Sequence, residues 1–176
     1  MNKQALGKKI LEVALLTGDF TLRSGKKSKY YLDKYLFGTR PEILKPLAKE
    51  LAGKLPDLNS FDRLAAPELG AITLATALAI EIKKPLVIVR KVQKEYGTSK
   101  LFEGELKPGE KVVLIEDILT TAGAALKAAE GLRNYGTEVI KIIGVIDREE
   151  GARENIEKAG FTMDAVFTKS GLGIAQ

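Results

Sequence analysis

The stretch VVLIEDILTTAGAA, residues 112–125, begins with four aliphatic residues, turns acidic at Glu116 and Asp117, and then becomes small through Thr120, Thr121, Ala122, Gly123 and Ala124. It reads as a buried strand that carries two carboxylates to its end and passes through a tight loop into a helix. Comparable short apolar runs occur at residues 64–66, 86–89 and 139–146. Helical segments lie between several of them: AITLATALAIEI at 71–82, a run from about 124 to 135 closed by Gly136, and a short one at 152–159 ahead of Gly160. Buried runs alternating with helices predict an α/β fold, with a central, mainly parallel sheet flanked by helices. Upstream, Ala5, Ile10, Leu11, Ala14 and Leu15 recur at helical spacing over about 3–16, and Thr17-Gly18 offers a stop. Residues 20–22 and 30–32 look extended around the polar turn SGKK. Pro41 suits the first turn of another helix, with Leu44, Leu47, Ala48 and Leu51 on one face and Gly53 as its end.

With 176 residues, 45% hydrophobic and 29% charged, the chain is expected to form one domain spanning 1–176. No segment approaches the roughly 18 consecutive apolar residues of a membrane span. The opening MNKQALGKKILEVALLTGDF interleaves Lys8, Lys9, Glu12 and Asp19 with its apolar positions, unlike a signal-peptide core, so a cytoplasmic location is expected. Cysteine and histidine are absent, which removes disulfides, thiolates and imidazole and leaves carboxylates, lysine, arginine, tyrosine and hydroxyls for chemistry. A net charge of +5 is modest, and the aromatic residues, 6% of the chain, are scattered, so no nucleic-acid partner is expected.

In an open parallel sheet, ligands sit beyond the carboxyl ends of the strands, where Glu116 and Asp117 fall. Successive backbone N–H groups of residues 120–124, the threonine hydroxyls and the helix dipole suit a phosphate. The two carboxylates suit the vicinal hydroxyls of a ribose. A ribose 5-phosphate meets both requirements; the plainer alternative is a strand end that caps the next helix. GELKPGEK has glycines at P-loop spacing but Glu110 where lysine is required, and no GxGxxG occurs. Residues 90–111, RKVQKEYGTSKLFEGELKPGEK, lack clear periodicity, contain Gly97, Gly104 and Gly109, and concentrate Arg90, Lys91, Lys94 and Lys100. So long a connection suggests a mobile functional loop, with a solvent-exposed β-hairpin as the alternative.

VVLIEDILTTAGAA resembles the phosphoribosyl-pyrophosphate-binding motif of type I phosphoribosyltransferases, and its surroundings resemble the orotate phosphoribosyltransferases over most of the chain. FTLRSGKKSKYYLDKYLF (20–37) is similar to that family's N-terminal substrate segment, within a small hood at about 1–40. APELGAITLATALA is similar to its pyrophosphate loop, VRKVQKEYGTSKLFEG to its mobile catalytic loop, and DREEGA to the segment after the next strand. The resemblance implies Mg²⁺-dependent transfer of ribose 5-phosphate from phosphoribosyl pyrophosphate to orotate. Glu116 and Asp117 would bind ribose, and Thr120, Thr121, Ala122, Gly123 and Ala124 the 5′-phosphate. Arg90, Lys91 and Lys94 would meet pyrophosphate, with Lys94, Lys91, Asp117 and Tyr96 in the catalytic group. Arg148, with Arg23, Tyr31 and Thr120, would hold orotate; the alternative for Arg148 is a surface pair with Glu149 or Glu150. Mg²⁺ would be held mainly by substrate. A homodimer is implied, the basic loop reaching the neighbouring site. Acceptance of uracil or a purine, or a ribose-phosphate-sensing regulator without turnover, are the rival functions. Four positions depart from the usual pattern. Arg23 stands where many members have lysine, Leu69 where many have a pyrophosphate-binding lysine, Ala122 at a usual glycine, and Tyr96 where histidine is frequent.

Overall fold

The computed structural model describes residues 1–21, 25, 27–91 and 101–174. The chain runs α1 (Lys3–Ala14), β1 (Leu15–Thr21), β2 (Lys27–Leu32), α2 (Lys34–Gly38), α3 (Pro41–Ala52), β3 (Arg63–Pro67), α4 (Ala71–Ile82), β4 (Leu86–Val89), β5 (Phe102–Glu103), β6 (Lys111–Leu119), α5 (Gly123–Tyr135), β7 (Glu138–Asp147), α6 (Ala152–Lys158) and β8 (Met163–Thr168). Strands β1 and β2 form an antiparallel pair, and the other six form one sheet in the order β5-β4-β3-β6-β7-β8. Every neighbouring pair in that sheet is parallel except β4 with β5.

Period-2 alternation puts successive residues of the central strands on opposite faces. Leu64 and Ala66 of β3, Val113 and Ile115 of β6 and Ile143 and Val145 of β7 join a core completed by Leu6 and Ile10 of α1, Leu47 and Leu51 of α3 and Leu74 and Leu78 of α4. Ala65, Val112, Leu114 and Ile142 enter a second core with Ala125, Ala129 and Leu132 of α5 and Ile156 of α6. Both faces are thus covered, which is why these strands read as continuous apolar runs.

The chain leaves β3 for β4 on one side and returns to place β6 on the other side of β3. The boundary between β3 and β6 is therefore the switch point of the sheet, and the crevice beyond it receives the loops after both strands. The interval that lacked periodicity contains a definite element. Ile88 and Val89 pair with Glu103 and Phe102, and the Arg90 N–H donates to the Leu101 carbonyl at 2.9 Å, so hairpin pairing brackets residues 92–100.

Several elements differ from the sequence reading, among them the short helix α2 (Lys34–Gly38), which has no local signal. The first helix ends at Ala14, because Leu15, Leu16 and Thr17 pair with Leu32, Tyr31 and Tyr30. An eighth strand, Met163–Thr168, occupies the sheet edge against β7. Its sequence, MDAVFT, is interrupted by Asp164 and lacks the continuous apolar run that marks the central strands.

Candidate active site

Strand β6 continues four residues beyond the aliphatic run, so Glu116 and Asp117 lie within its last turn of pleat and not after it. Both are buried. Their backbone is held by parallel pairing to β7, in which Glu116 faces Gly144 and Leu119 faces Asp147. The Asp117 N–H donates to Oε1 of Glu116 at 3.1 Å and the Ile118 N–H to Oδ1 of Asp117 at 2.6 Å. Oε2 of Glu116 is buried without a hydrogen-bond partner. Burial, and then the charge of Asp117, push the Glu116 carboxyl up to about 8. Glu116 is accordingly mostly protonated at neutral pH and able to donate a hydrogen bond.

Oδ2 of Asp117 meets Nζ of Lys34, from α2, at 2.8 Å. The contact is an ion pair and not an aligned hydrogen bond, since Oδ2 has no partner of good hydrogen-bond geometry. Burial alone would lower the Lys34 pKa, but the contact with Asp117 and the charges of Asp117 and Glu116 outweigh it and raise the ammonium above its ordinary value. The pair closes over Gly70, in the loop after β3. A Cβ at Gly70 would lie 2.0 Å from Oδ2 of Asp117 and 3.0 Å from Cδ and Cε of Lys34. Gly70 has φ −67° and ψ −30°, which any residue adopts, so close approach is what demands glycine. In the same loop Glu68 accepts the Lys91 N–H through Oε1 at 2.8 Å, tying it to the end of β4. Leu69 is 60% exposed.

Beyond the acids, Thr120 is half-buried and Thr121 exposed, and the Thr121 carbonyl accepts Asn155 Nδ2 at 3.0 Å. Ala122 has φ 63° and ψ 13°, a left-handed conformation at the position where the family usually has glycine. No side chain caps α5, and the Leu126 N–H donates to the Ala122 carbonyl at 2.8 Å to close the first turn. The N–H groups of Gly123, Ala124 and Ala125 thus form the positive end of a helix dipole beside the acidic pair.

Arg148 follows β7. Its Nη2 donates to the Tyr30 hydroxyl at 3.1 Å and pairs with Glu150 at 2.9 Å, its guanidinium lies 5.4 Å from the Tyr30 ring centroid, and Nε is buried without a partner. The surface-pair alternative is therefore present in part, through Glu150; Glu149 instead accepts the N–H and hydroxyl of Ser170. The tyrosine at Arg148 is Tyr30, one residue before the position singled out in the sequence. Tyr31 points the other way, 41% exposed and 5.6 Å from the Phe20 ring, because adjacent strand residues face opposite sides. Arg90 pairs with Glu103 at 3.3 Å. Arg23, Lys94 and Tyr96 lie outside the described residues. Sequence reasoning missed Lys34, Gly70, Glu68 and Tyr30; only a glycine immediately before a helix hinted at any of them.

The phosphoribosyl transferase domain family matches residues 40–170. An orotate phosphoribosyltransferase of Pyrococcus abyssi is 48% identical over 163 residues, covering 92% of this chain and 90% of its own. The chain belongs to the orotate phosphoribosyltransferase family. A second relative of that name, from Thermococcus kodakarensis, is 52% identical over 82% of this chain and 79% of its own. The orotate phosphoribosyltransferase structure from Aeropyrum pernix superposes with a TM-score of 0.85 at 30% identity, covering 97% of this chain and 99% of that one. The family's α/β fold is the one described above, and no helix among the described residues is long and apolar enough to cross a membrane.

Proposed function

We propose that this orotate phosphoribosyltransferase family member transfers ribose 5-phosphate from phosphoribosyl pyrophosphate to N1 of orotate, giving orotidine 5′-monophosphate and pyrophosphate in pyrimidine (UMP) synthesis. The observation that carries the reading is the meeting, at one switch point, of a buried acidic pair with the uncapped N-terminus of α5. Glu116 and Asp117 take the two ribose hydroxyls, one acid donating and the other accepting. The N–H groups of residues 120–124 and the Thr120 and Thr121 hydroxyls take the 5′-phosphate. Arg148 and Tyr30 line the orotate end, and Arg23 supplies a further guanidinium for the same substrate; Tyr31, on the opposite side of β2, does not share that role. Arg90, Lys91 and Lys94 serve the diphosphate, and Tyr96 adds a hydroxyl from the loop.

In the reaction the bond between C1′ and the diphosphate oxygen breaks, orotate N1 loses its proton and bonds to C1′, and positive charge develops on the ribose. Cations on the leaving group and exclusion of water favour that step. Among the described residues no group of three or more acidic, histidine or cysteine side chains is placed to hold a metal ion, and Lys34 already occupies the flank of Asp117. That donor set fits Mg²⁺ arriving on the diphosphate, where phosphate oxygens and water would hold it. When bound, the ion neutralises the departing pyrophosphate.

The reading takes residues 1–176 as one cytoplasmic enzyme unit that works as a homodimer. Ile80 at 75% exposure, with exposed Thr73 and Thr76, gives α4 an outer side open to a second copy. Following orotate absorbance with phosphoribosyl pyrophosphate and Mg²⁺, against a panel of other bases, tests the activity. Orotate is expected to be consumed; consumption of uracil or a purine in its place overturns the acceptor assignment.

A further inference from the structure

Lys34 stands out among the side chains at the switch point. It comes from the hairpin-and-helix segment that precedes the sheet, and it lies between Gly70, in the loop after β3, and Asp117, near the end of β6. The Asp117 side chain is 3% exposed and that of Lys34 32%, so the lysine reaches a buried carboxylate while its side chain stays partly open to solvent. Its stem lies along Gly70, within the loop Glu68–Gly70. An ammonium has three donors, and among the described residues Asp117 is its sole ion-pair partner. The neighbouring loop residue, Leu69, is exposed and apolar where a loop binding a diphosphate would profit from a cation. The chain therefore brings a lysine to this loop from another element, and a flexible four-carbon stem lets its head turn through several ångströms without backbone movement.

We propose that Lys34 is a diphosphate-contacting residue that replaces, in space, the charge missing at Leu69, holding Asp117 while the site is empty and turning to the pyrophosphate group when substrate binds. The exchange conserves polar contacts, not charge: the ribose hydroxyl donates to the oxygen that the ammonium leaves, and the ammonium donates to a diphosphate oxygen. Lys34 thereby keeps the buried carboxylate compensated until the sugar arrives, avoiding an unpaired buried charge. The same ammonium then sits where negative charge accumulates as the leaving group departs.

The inference rests on the phosphoribosyl-pyrophosphate reading, and wild-type protein separates the two. Failure of wild type to bind phosphoribosyl pyrophosphate or inorganic pyrophosphate defeats that reading; normal wild-type binding combined with an indifferent Lys34 defeats only the inference. Titration calorimetry with inorganic pyrophosphate and, separately, ribose 5-phosphate is the test, on wild type, Lys34→Met, Lys34→Gln and the Lys34→Met/Leu69→Lys double variant. Loss of a charge-assisted contact is expected to weaken pyrophosphate binding roughly 10- to 100-fold in both single variants. Ribose 5-phosphate affinity should change by less than about threefold, and lysine at position 69 should restore pyrophosphate affinity. Lys34→Gln keeps a polar head beside Asp117, so it reports even if the methionine variant does not fold. Unchanged pyrophosphate affinity in Lys34→Gln overturns the proposal. So does a parallel loss of ribose 5-phosphate binding that Leu69→Lys does not reverse, because Lys34 would then only position Asp117.

Discussion

Replacing Gly70 by alanine puts a methyl carbon 2.0 Å from Oδ2 of Asp117, where ordinary heavy-atom contacts begin near about 3.5 Å. The two groups must separate by roughly 1.5 Å. Asp117 has little room to yield, since its other oxygen accepts the Ile118 N–H at 2.6 Å and its side chain is 97% enclosed, leaving 3% exposed. Movement then falls on the Glu68–Gly70 loop, which is tied to Lys91 through Glu68 and to Val89 through the Glu68 N–H. Overpacking of this kind costs about 1–3 kcal/mol, or roughly 2–12 °C in Tm for a chain of this size. A displacement near 1 Å in a positioned site costs about 100-fold in rate, so kcat/KM for phosphoribosyl pyrophosphate should fall by about that factor or more. Gly53→Ala is the control: its Cβ would meet only the Glu50 and Lys49 carbonyls at 3.5 and 3.8 Å, and φ is −67°. Its stability should stay within about 0.5 kcal/mol of wild type. Thermal melts and initial rates of orotate consumption measure both effects. A Gly70→Ala enzyme with kcat/KM within about threefold of wild type would refute the steric argument.

Two further outcomes follow from charges buried at opposite ends of the sheet. The Glu116 carboxyl, pushed up to about 8 by burial and by Asp117, with Lys34 as the opposing cation, binds its proton more tightly folded than unfolded. Its contribution is therefore fully present below about pH 4.5 and lost as pH rises toward 8, by roughly 5 kcal/mol at most. Urea unfolding of the substrate-free protein across that window should show a steeper loss in wild type than in Glu116→Gln, and equal slopes would contradict the protonated acid. At the amino end of β3, Arg63 is 6% exposed, donates from Nε to Glu110 Oε2 at 2.8 Å, and also reaches the Glu105 carbonyl. Arg63→Met leaves Glu110, which is only partly buried, with the Lys107 N–H alone and the Glu105 carbonyl without the guanidinium, and should cost about 1–3 kcal/mol in urea unfolding while kcat of the folded enzyme holds. A loss under about 1 kcal/mol would show the bridge to be dispensable.

The alternation of apolar runs and helices, and with it the sheet flanked by helices, was legible without a structure, because a strand buried on both faces must be continuously apolar. The sequence also marked Glu116, Asp117 and the small residues through Ala124, since the need for carboxylates and open backbone N–H groups is written in adjacent positions. Arg148 was legible as a guanidinium just past a strand. The remaining features depend on partners distant in the chain. Lys34 lies on a five-residue helix with no local signal, yet three-dimensional packing sets it against Asp117. Gly70 needs its missing side chain because of an oxygen on another strand. The register of β1 with β2 turns Tyr30, and not Tyr31, toward Arg148. The protonation of Glu116 arises from the same enclosure, for a carboxyl takes its charge state from the dielectric and neighbours that folding supplies and not from the residues beside it in the chain.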